Sequence, residues 1–366
     1  MNIKYEVVAV DMGAGAFKTV TSDQQSALVL AQVAIDSPHV LNVPQLVGID
    51  NQRDYHHLRF VDERGTLWHL YAGSGAYRQG QLITSLDHYR FRGRSDIRAL
   101  LYASLAELAY QKMGASNVSE QIPIEVEIER LIIGLPLESW RQSTAQEESA
   151  EEENTPRSVQ RWLARSSHSW ESRVGSEGPM TQFNANFAQV QVLPQAMGAV
   201  YDFVIDDDYS IKYKLRTKRL GVISIGFNTI DLMAIEEGKP NDQLARSHQT
   251  GVRHLLRQYD RSETFSIYEL DEKVRRRNLD PNRLNPATRI WLETIDAFLA
   301  NVWDGNTMRR FDDVIITGGG ILLPGVREYF QRHPLLKGKV RFPEDPVFAI
   351  ARGLCKIGVL NQRRTS

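Results

Sequence analysis

The chain has 366 residues, 42% of them hydrophobic and 24% charged, with a net charge of −1. That length and composition support two domains with cores of their own, and the charge gives no overall attraction to nucleic acid or to a membrane surface. A single cysteine, Cys355, on an apolar helical face, excludes a disulfide scaffold and suits a reducing compartment. The start of the chain lacks the charged-then-apolar pattern of a signal peptide. No apolar run reaches the roughly 18 residues of a spanning helix, so a cytoplasmic protein without membrane contact is expected.

Residues 5–11 and 17–21 read as paired strands around the turn Asp11-Met12-Gly13-Ala14-Gly15-Ala16-Phe17-Lys18. A dinucleotide-binding turn would carry a third glycine where Lys18 stands and would open a helix. The β-branched run Thr19-Val20-Thr21 instead favours a strand. No GxxxxGK[ST] occurs, so a P-loop is excluded. A hairpin turn of small residues can still offer backbone N–H groups to phosphates. Asp11 closes a buried strand, where a carboxylate needs a partner or a metal's water shell, and Lys18 suits neutralising phosphate charge.

Residues 36–90 are mixed, with Trp68-His69-Leu70-Tyr71-Ala72-Gly73 as a strand before a glycine turn. Ser95-Asp96 opens a strong helix whose face is Ile97, Leu100, Leu101, Ser104, Leu105 and Leu108, ended by Gly114. Residues 126–134 form a buried strand running into Gly134-Leu135-Pro136. From 143 to 180 the composition shifts. The acidic run Gln146–Asn154 is followed by Arg157, Arg161, Arg165 and Arg173 interleaved with Trp162 and Trp170. It is read as a solvated, charged surface insertion; the alternative is a helical hairpin with paired charges. Arginine–tryptophan interleaving can bind single strands, but the neighbouring glutamates oppose that.

Pro194 starts a helix in which Gln195 is followed by Ala196, Ala199, Val200 and Phe203 at helical spacing. A second hairpin follows in Ser224-Ile225-Gly226-Phe227-Asn228-Thr229-Ile230-Asp231. Asn228 and Thr229 can donate to phosphate oxygens, and Asp231 can fix the turn. Lys273 and Arg275-Arg276-Arg277 lie on a further helix. At 314–326 a strand breaks at Gly318-Gly319-Gly320 before a helix, where a flat ligand can lie against bare backbone. The last helix takes Asp345 as its cap with Pro346 in the first turn, and Gly353 allows close packing. Strands and helices alternate through the second half, which argues for α/β layers. The histidines show no metal-ligand spacing.

Five segments in this order, VDMGAGAFK, LIIGLPLESW, VLPQAMGAVYDF, ISIGFNTIDL and TGGGILLPGV with DPVFAIARGLCKIG, resemble the actin-like ATPase superfamily, and within it the ParM-type plasmid-segregation actins. The resemblance runs from residue 7 to 358. It implies an α/β, ribonuclease H-like two-domain fold with ATP or GTP and Mg2+ in the interdomain cleft. Domain I would cover 1–194, with a small subdomain at about 36–90 and the insertion at about 143–180; domain II would cover 195–340, and 341–366 would return as a helix to domain I.

By the same resemblance, Asp11 is a catalytic residue holding magnesium through water, and Gln195 is the catalytic residue that aims the attacking water. A glutamine can do so by accepting from the water without acting as a strong base. Gly13, Ala14, Gly15, Ala16 and Lys18 form the first phosphate loop; Ser224, Gly226, Phe227, Asn228, Thr229 and Asp231 form the second. Gly318, Gly319, Gly320 and Ile321 form the adenosine loop, with Glu272 and Lys273 near adenine or ribose. The second loop departs from the family's DxGxxTxD, because Ser224 stands where relatives carry Asp. A neutral serine implies altered metal handling and slow hydrolysis.

The expected function is a nucleotide-dependent, filament-forming ATPase, subunits joining head to tail, that segregates plasmid or other replicon DNA through a DNA-binding adaptor. Direct nucleic-acid binding is not implied. The alternatives are a monomeric phosphotransferase or hydrolase of the same superfamily, for which no acceptor-site aspartate motif is visible, and a non-motor scaffold, for which the chain's end is too short and polar to anchor.

Overall fold

Two sheets organise the chain, one in each of two compact units. The computed structural model describes residues 1–36, 55–84, 88–114, 122–140, 155–165, 167–175, 179–213 and 215–365. The acidic run and parts of the 36–90 region lie outside them.

The first unit comprises Met1–Ile133 and Arg141–Val192. Its strands are β1 (Asn2–Met12), β2 (Ala16–Thr21), β3 (Ser26–Leu30), β4 (Val33–Ile35), β5 (Tyr55–Val61), β6 (Leu67–Gly73), β7 (Gln81–Leu82), β8 (Ile124–Leu135), β9 (His168–Val174) and β10 (Thr181–Pro194). They form one sheet in the order β3-β2-β1-β8-β10-β9-β5-β6-β4-β7. Its helices are α1 (Ser95–Met113) and α2 (Thr155–Leu163). The face expected on α1 is buried, and so are Ala99, Tyr102, Ala103, Ala106 and Ala109. A helix apolar nearly all round is an interior helix, and α1 touches β2, β3, β5, β6 and β9.

The described part of the 143–180 region is core, which corrects the reading of a solvated insertion. Strand β9 lies between β10 and β5 in the sheet. Its sequence HSWESRV alternates in burial, as a half-buried strand must. Trp170 stacks on Tyr102 at 4.6 Å and on Phe183 at 5.3 Å, and is itself 2% exposed. Each such ring pair adds about 0.5–1.5 kcal/mol beyond area burial. Trp162 is buried on α2 and donates from Nε1 to the Phe91 carbonyl. The aromatics that suggested a binding stripe are packing residues.

The second unit comprises Gly134–Trp140 and Leu193–Ser366. It holds α3 (Gln195–Val204), β11 (Leu220–Ile225), β12 (Ile230–Glu236), β13 (Lys239–His248), α4 (Val252–Tyr259), α5 (Ile267–Arg275), α6 (Pro281–Val302), α7 (Gly305–Arg310), β14 (Asp313–Thr317), α8 (Val326–Arg332), β15 (Val340–Arg341) and α9 (Ala349–Thr365). The sheet order is β13-β12-β11-β14-β15. Ile223, Ile225, Ile230 and Leu232 pack with Leu255, Trp291, Ile295 and Trp303 into one core. The two indole N–H groups are satisfied inside it, Trp291 donating to the Thr250 carbonyl and Trp303 to that of Leu244.

Gly134–Trp140 groups with the second unit, where Gln195 Nε2 lies 3.5 Å from the Gly134 carbonyl. The terminal segment belongs to the same unit. Helix α9 lies on α3, with the backbones in contact: a Cβ built on Gly353 would sit 1.8 Å from the Gly198 carbonyl oxygen. Asp202 on α3 holds Arg352 of α9 through two 2.7 Å hydrogen bonds. Asp345 accepts from Val347 and Phe348 as expected of a cap, although regular helix begins at Ala349.

Candidate functional site

The β1–β2 hairpin of the first unit places Asp11 opposite Lys18 in register. Lys18 Nζ lies 3.0 Å from Asp11 Oδ2, with the Asp11 side chain 3% exposed and that of Lys18 18%. The other carboxylate oxygen, Asp11 Oδ1, is buried and has no hydrogen-bond partner. Burial pushes the Asp11 carboxyl upward from the usual carboxylate value, against the pull of the Lys18 charge and its hydrogen bond. A buried carboxylate with one oxygen unsatisfied is costly alone and suits a cation or its hydration water.

The turn that follows is held from behind. Gly13 N–H donates to the Asp11 carbonyl, and Ala31 N–H donates to that of Gly15. A Cβ on Gly13 would come within 2.7 Å of Lys18 Nζ, so glycine there leaves the lysine room to cross the turn. Ala14 and Gly15 are partly exposed, while Ala16 is buried as the first residue of β2.

The second unit repeats the arrangement on β11 and β12. Ser224 stands opposite Asp231 in register, both buried. Asp231 Oδ1 accepts from the Ser247 hydroxyl, so it fixes β12 to β13. The carbonyls of Gly226, Phe227 and Asn228 accept from the N–H groups of Val252, Arg253 and Gly251, at 3.0, 2.7 and 3.1 Å. Gly226 N–H closes the turn onto the Thr229 carbonyl. These bonds commit the carbonyls of the turn to the start of α4.

The brace explains a residue that the sequence reading passed over. A Cβ on Gly251 would lie 2.6 Å from the Gly226 and Phe227 carbonyl oxygens, so only glycine lets α4 approach the turn this closely. The sequence cue was a glycine directly before the apolar period of α4.

The third turn separates three glycines that look alike in sequence. Gly318 has φ 92°, and a Cβ there would meet the Ile225 carbonyl oxygen at 2.4 Å. A Cβ on Gly320 would meet the Ile225 side chain at 2.3 Å. A Cβ on Gly319 would meet nothing within 4 Å. Gly318 and Gly320 are therefore required by packing against β11, while Gly319 keeps open the space a side chain would fill. Ile321 is 1% exposed and belongs to the core of the second unit, so only its backbone is left for a ligand.

Gln195 is the first residue of α3 and is 7% exposed. Its side-chain N–H2 faces the Gly134 carbonyl, which turns the amide oxygen the other way. Glu272 and Lys273 lie on α5, which begins with a Ser266–Glu269 capping box. Glu272 pairs with Arg276 at 2.8 Å, and Lys273 Nζ sits 4.4 Å above the Phe265 ring. Each thus has a partner on its own unit. Among the described residues no helix is long and apolar enough to cross a membrane.

No family model and no curated protein matches the sequence. Solved structures match over nearly the whole chain. The actin-like protein Alp7A superposes with a TM-score of 0.73 at 13% identity, over 100% of this chain and 98% of its own. ParM from a 15-stranded Clostridium botulinum filament gives 0.65 at 16% identity, over 98% and 100%. An archaeal actin homologue in complex with ADP gives 0.64 at 18% identity, over 98% and 99%. The chain has the actin-like fold.

Proposed function

We propose that this actin-like chain binds ATP with magnesium and assembles into filaments whose stability follows hydrolysis. The observation that carries the reading is the pair Asp11 and Lys18: a buried carboxylate with an unpartnered oxygen, held beside a lysine at a backbone turn. It supports phosphate and metal binding in a fold shared with a ParM filament and with an ADP-bound actin homologue.

In this reading, Ala14, Gly15, Asn228 and Thr229 present donors to phosphate oxygens, and Lys18 leaves Asp11 to neutralise charge that grows on the phosphates. Asp11 Oδ1 would hold water of a magnesium shell. Magnesium, when bound, would neutralise charge on the phosphate oxygens. Gln195, tethered through its N–H2, accepts a proton-bearing water on Oε1 and orients it. Ser224 is too weak an acceptor to replace the Asp of relatives, so turnover is slow. The Gly319 space takes the flat part of the nucleotide. Segregation of plasmid or other replicon DNA, through a DNA-binding adaptor, is the cargo role that fits such a polymer.

The test is 90° light scattering of purified protein on adding magnesium-ATP, with negative-stain microscopy of the same sample. A rise with filaments, absent without nucleotide, is expected. Nucleotide binding with no assembly at any protein concentration or salt would sink the filament reading and favour a monomeric enzyme.

A further inference from the structure

We propose that Asp36, His57 and His69 of the first unit form a site for a divalent transition-metal ion of the zinc type, separate from the nucleotide loops. The three residues end or lie on β4, β5 and β6, and one ligand atom from each lies within 4.8 Å of the others. The sheet brings them together: Arg59 pairs with His69 and His57 with Tyr71 across β5 and β6, and Asp36 N–H donates to the His69 carbonyl. Two imidazoles and a carboxylate are a familiar zinc donor set that leaves a fourth position for water. Sequence spacing could not reveal them, because the histidines are 12 positions apart along the chain and the carboxylate follows a third strand.

A second observation points to a ligand. Both ring nitrogens of His57 are buried and have no hydrogen-bond partner. A buried imidazole normally satisfies at least one. Burial, with the Arg173 charge next, lowers the His57 pKa. Around it, Tyr71 stacks at 4.8 Å, Arg173 on β9 stands opposite in register, and Arg59 projects from β5.

The surrounding charge sets the strength of the site. Tetrahedral coordination at bond lengths of about 2.0–2.2 Å needs the three side chains to converge on a common centre. Arg173 repels a cation, and Asp36 is the only carboxylate of the set. Moderate affinity follows, and removing the Arg173 charge should raise it. When filled, the site clips β4 to the β5–β6 hairpin.

The experiment is titration of the untagged, nucleotide-free chain with Co2+, read by visible absorption, with Zn2+ as competitor. An intense four-coordinate band saturating at one Co2+ per chain and bleached by Zn2+ is expected. His57→Ala and His69→Gln should lose the band with unchanged circular dichroism, Arg173→Gln should saturate at lower Co2+, and Asp11→Asn should leave it intact. No band in the wild type, or a band unchanged in both histidine variants, overturns the site. If the histidine variants fail to fold, X-ray absorption of the zinc-loaded wild type decides: two imidazole ligands support it, and an oxygen-only shell overturns it. The Asp11→Asn arm separates this outcome from failure of nucleotide binding.

Discussion

At the scale of single residues, Asp11 carries an identifiable stability cost. Its folded pKa is raised, by burial first, above that of the unfolded chain. The stabilising contribution of such a group is therefore complete below the unfolded value and is lost as pH rises through the folded one. Above that window the ionised carboxylate destabilises the fold, and Lys18 only partly offsets it. Asp11→Asn should then gain stability over wild type as pH rises, measured by urea unfolding without nucleotide at acidic and at mildly alkaline pH, while losing ATP turnover. A stability difference that stays flat, or that turns against the variant at high pH, would show that the Lys18 pair outweighs burial. Ser224 tests the complementary hairpin. Placing Asp at 224 sets it directly across from Asp231, and like charges in a cross-strand pair repel. Ser224→Asp should lower the melting temperature in EDTA and recover part of that loss, with faster hydrolysis, when magnesium-ATP is added. Equal melting temperatures of variant and parent in EDTA, or turnover no faster than the parent's, would count against this account.

At the scale of elements, the α3–α9 crossing depends on two glycines. A Cβ on Gly198 would meet the Ile350 carbonyl oxygen at 2.3 Å, and one on Gly353 would meet the Asp202 nitrogen at 2.5 Å as well as the Gly198 carbonyl. These obstacles are backbone atoms, which cannot rotate away. Gly353→Ala should destabilise by about 3 kcal/mol, the upper end for overpacking, by forcing the helices apart and stretching the Asp202–Arg352 pair. A thermal melt within a degree of wild type would refute it. Much of this level was legible in sequence. Both hairpins, α1, β8 and the start of α3 lie close to where strand alternation, helical spacing and Pro194 put them, because each has a strong local period. The 143–180 region was misread because its charge dominates its composition, while burial follows the two-residue alternation of β9 around Trp170. The site was legible as turns but not as geometry. Nothing local distinguishes Gly319 from its neighbours, since their difference arises from how β14 approaches β11. Gly251 likewise acts through a turn 23 residues before it.

At the scale of the whole molecule, assembly proposed to follow nucleotide occupancy can be separated from it at Gly319. Its backbone angle is not in the left-handed region, and its missing side chain faces open space. Gly319→Ala should therefore fold as the parent does and melt at the same temperature without nucleotide. The added methyl fills the space assigned to the flat part of the nucleotide, so ATP should bind more weakly. If assembly answers only to occupancy, scattering of the variant should reach the parent's plateau but need more ATP to do so. The rightward shift should match the loss of affinity measured separately by a fluorescent ATP analogue, because a ligand moves an equilibrium only by its differential binding. A lower plateau at saturating ATP would place Gly319 in the subunit contact itself. An unshifted curve would mean that the nucleotide does not lie against this turn, and the space beside Gly319 would need another explanation.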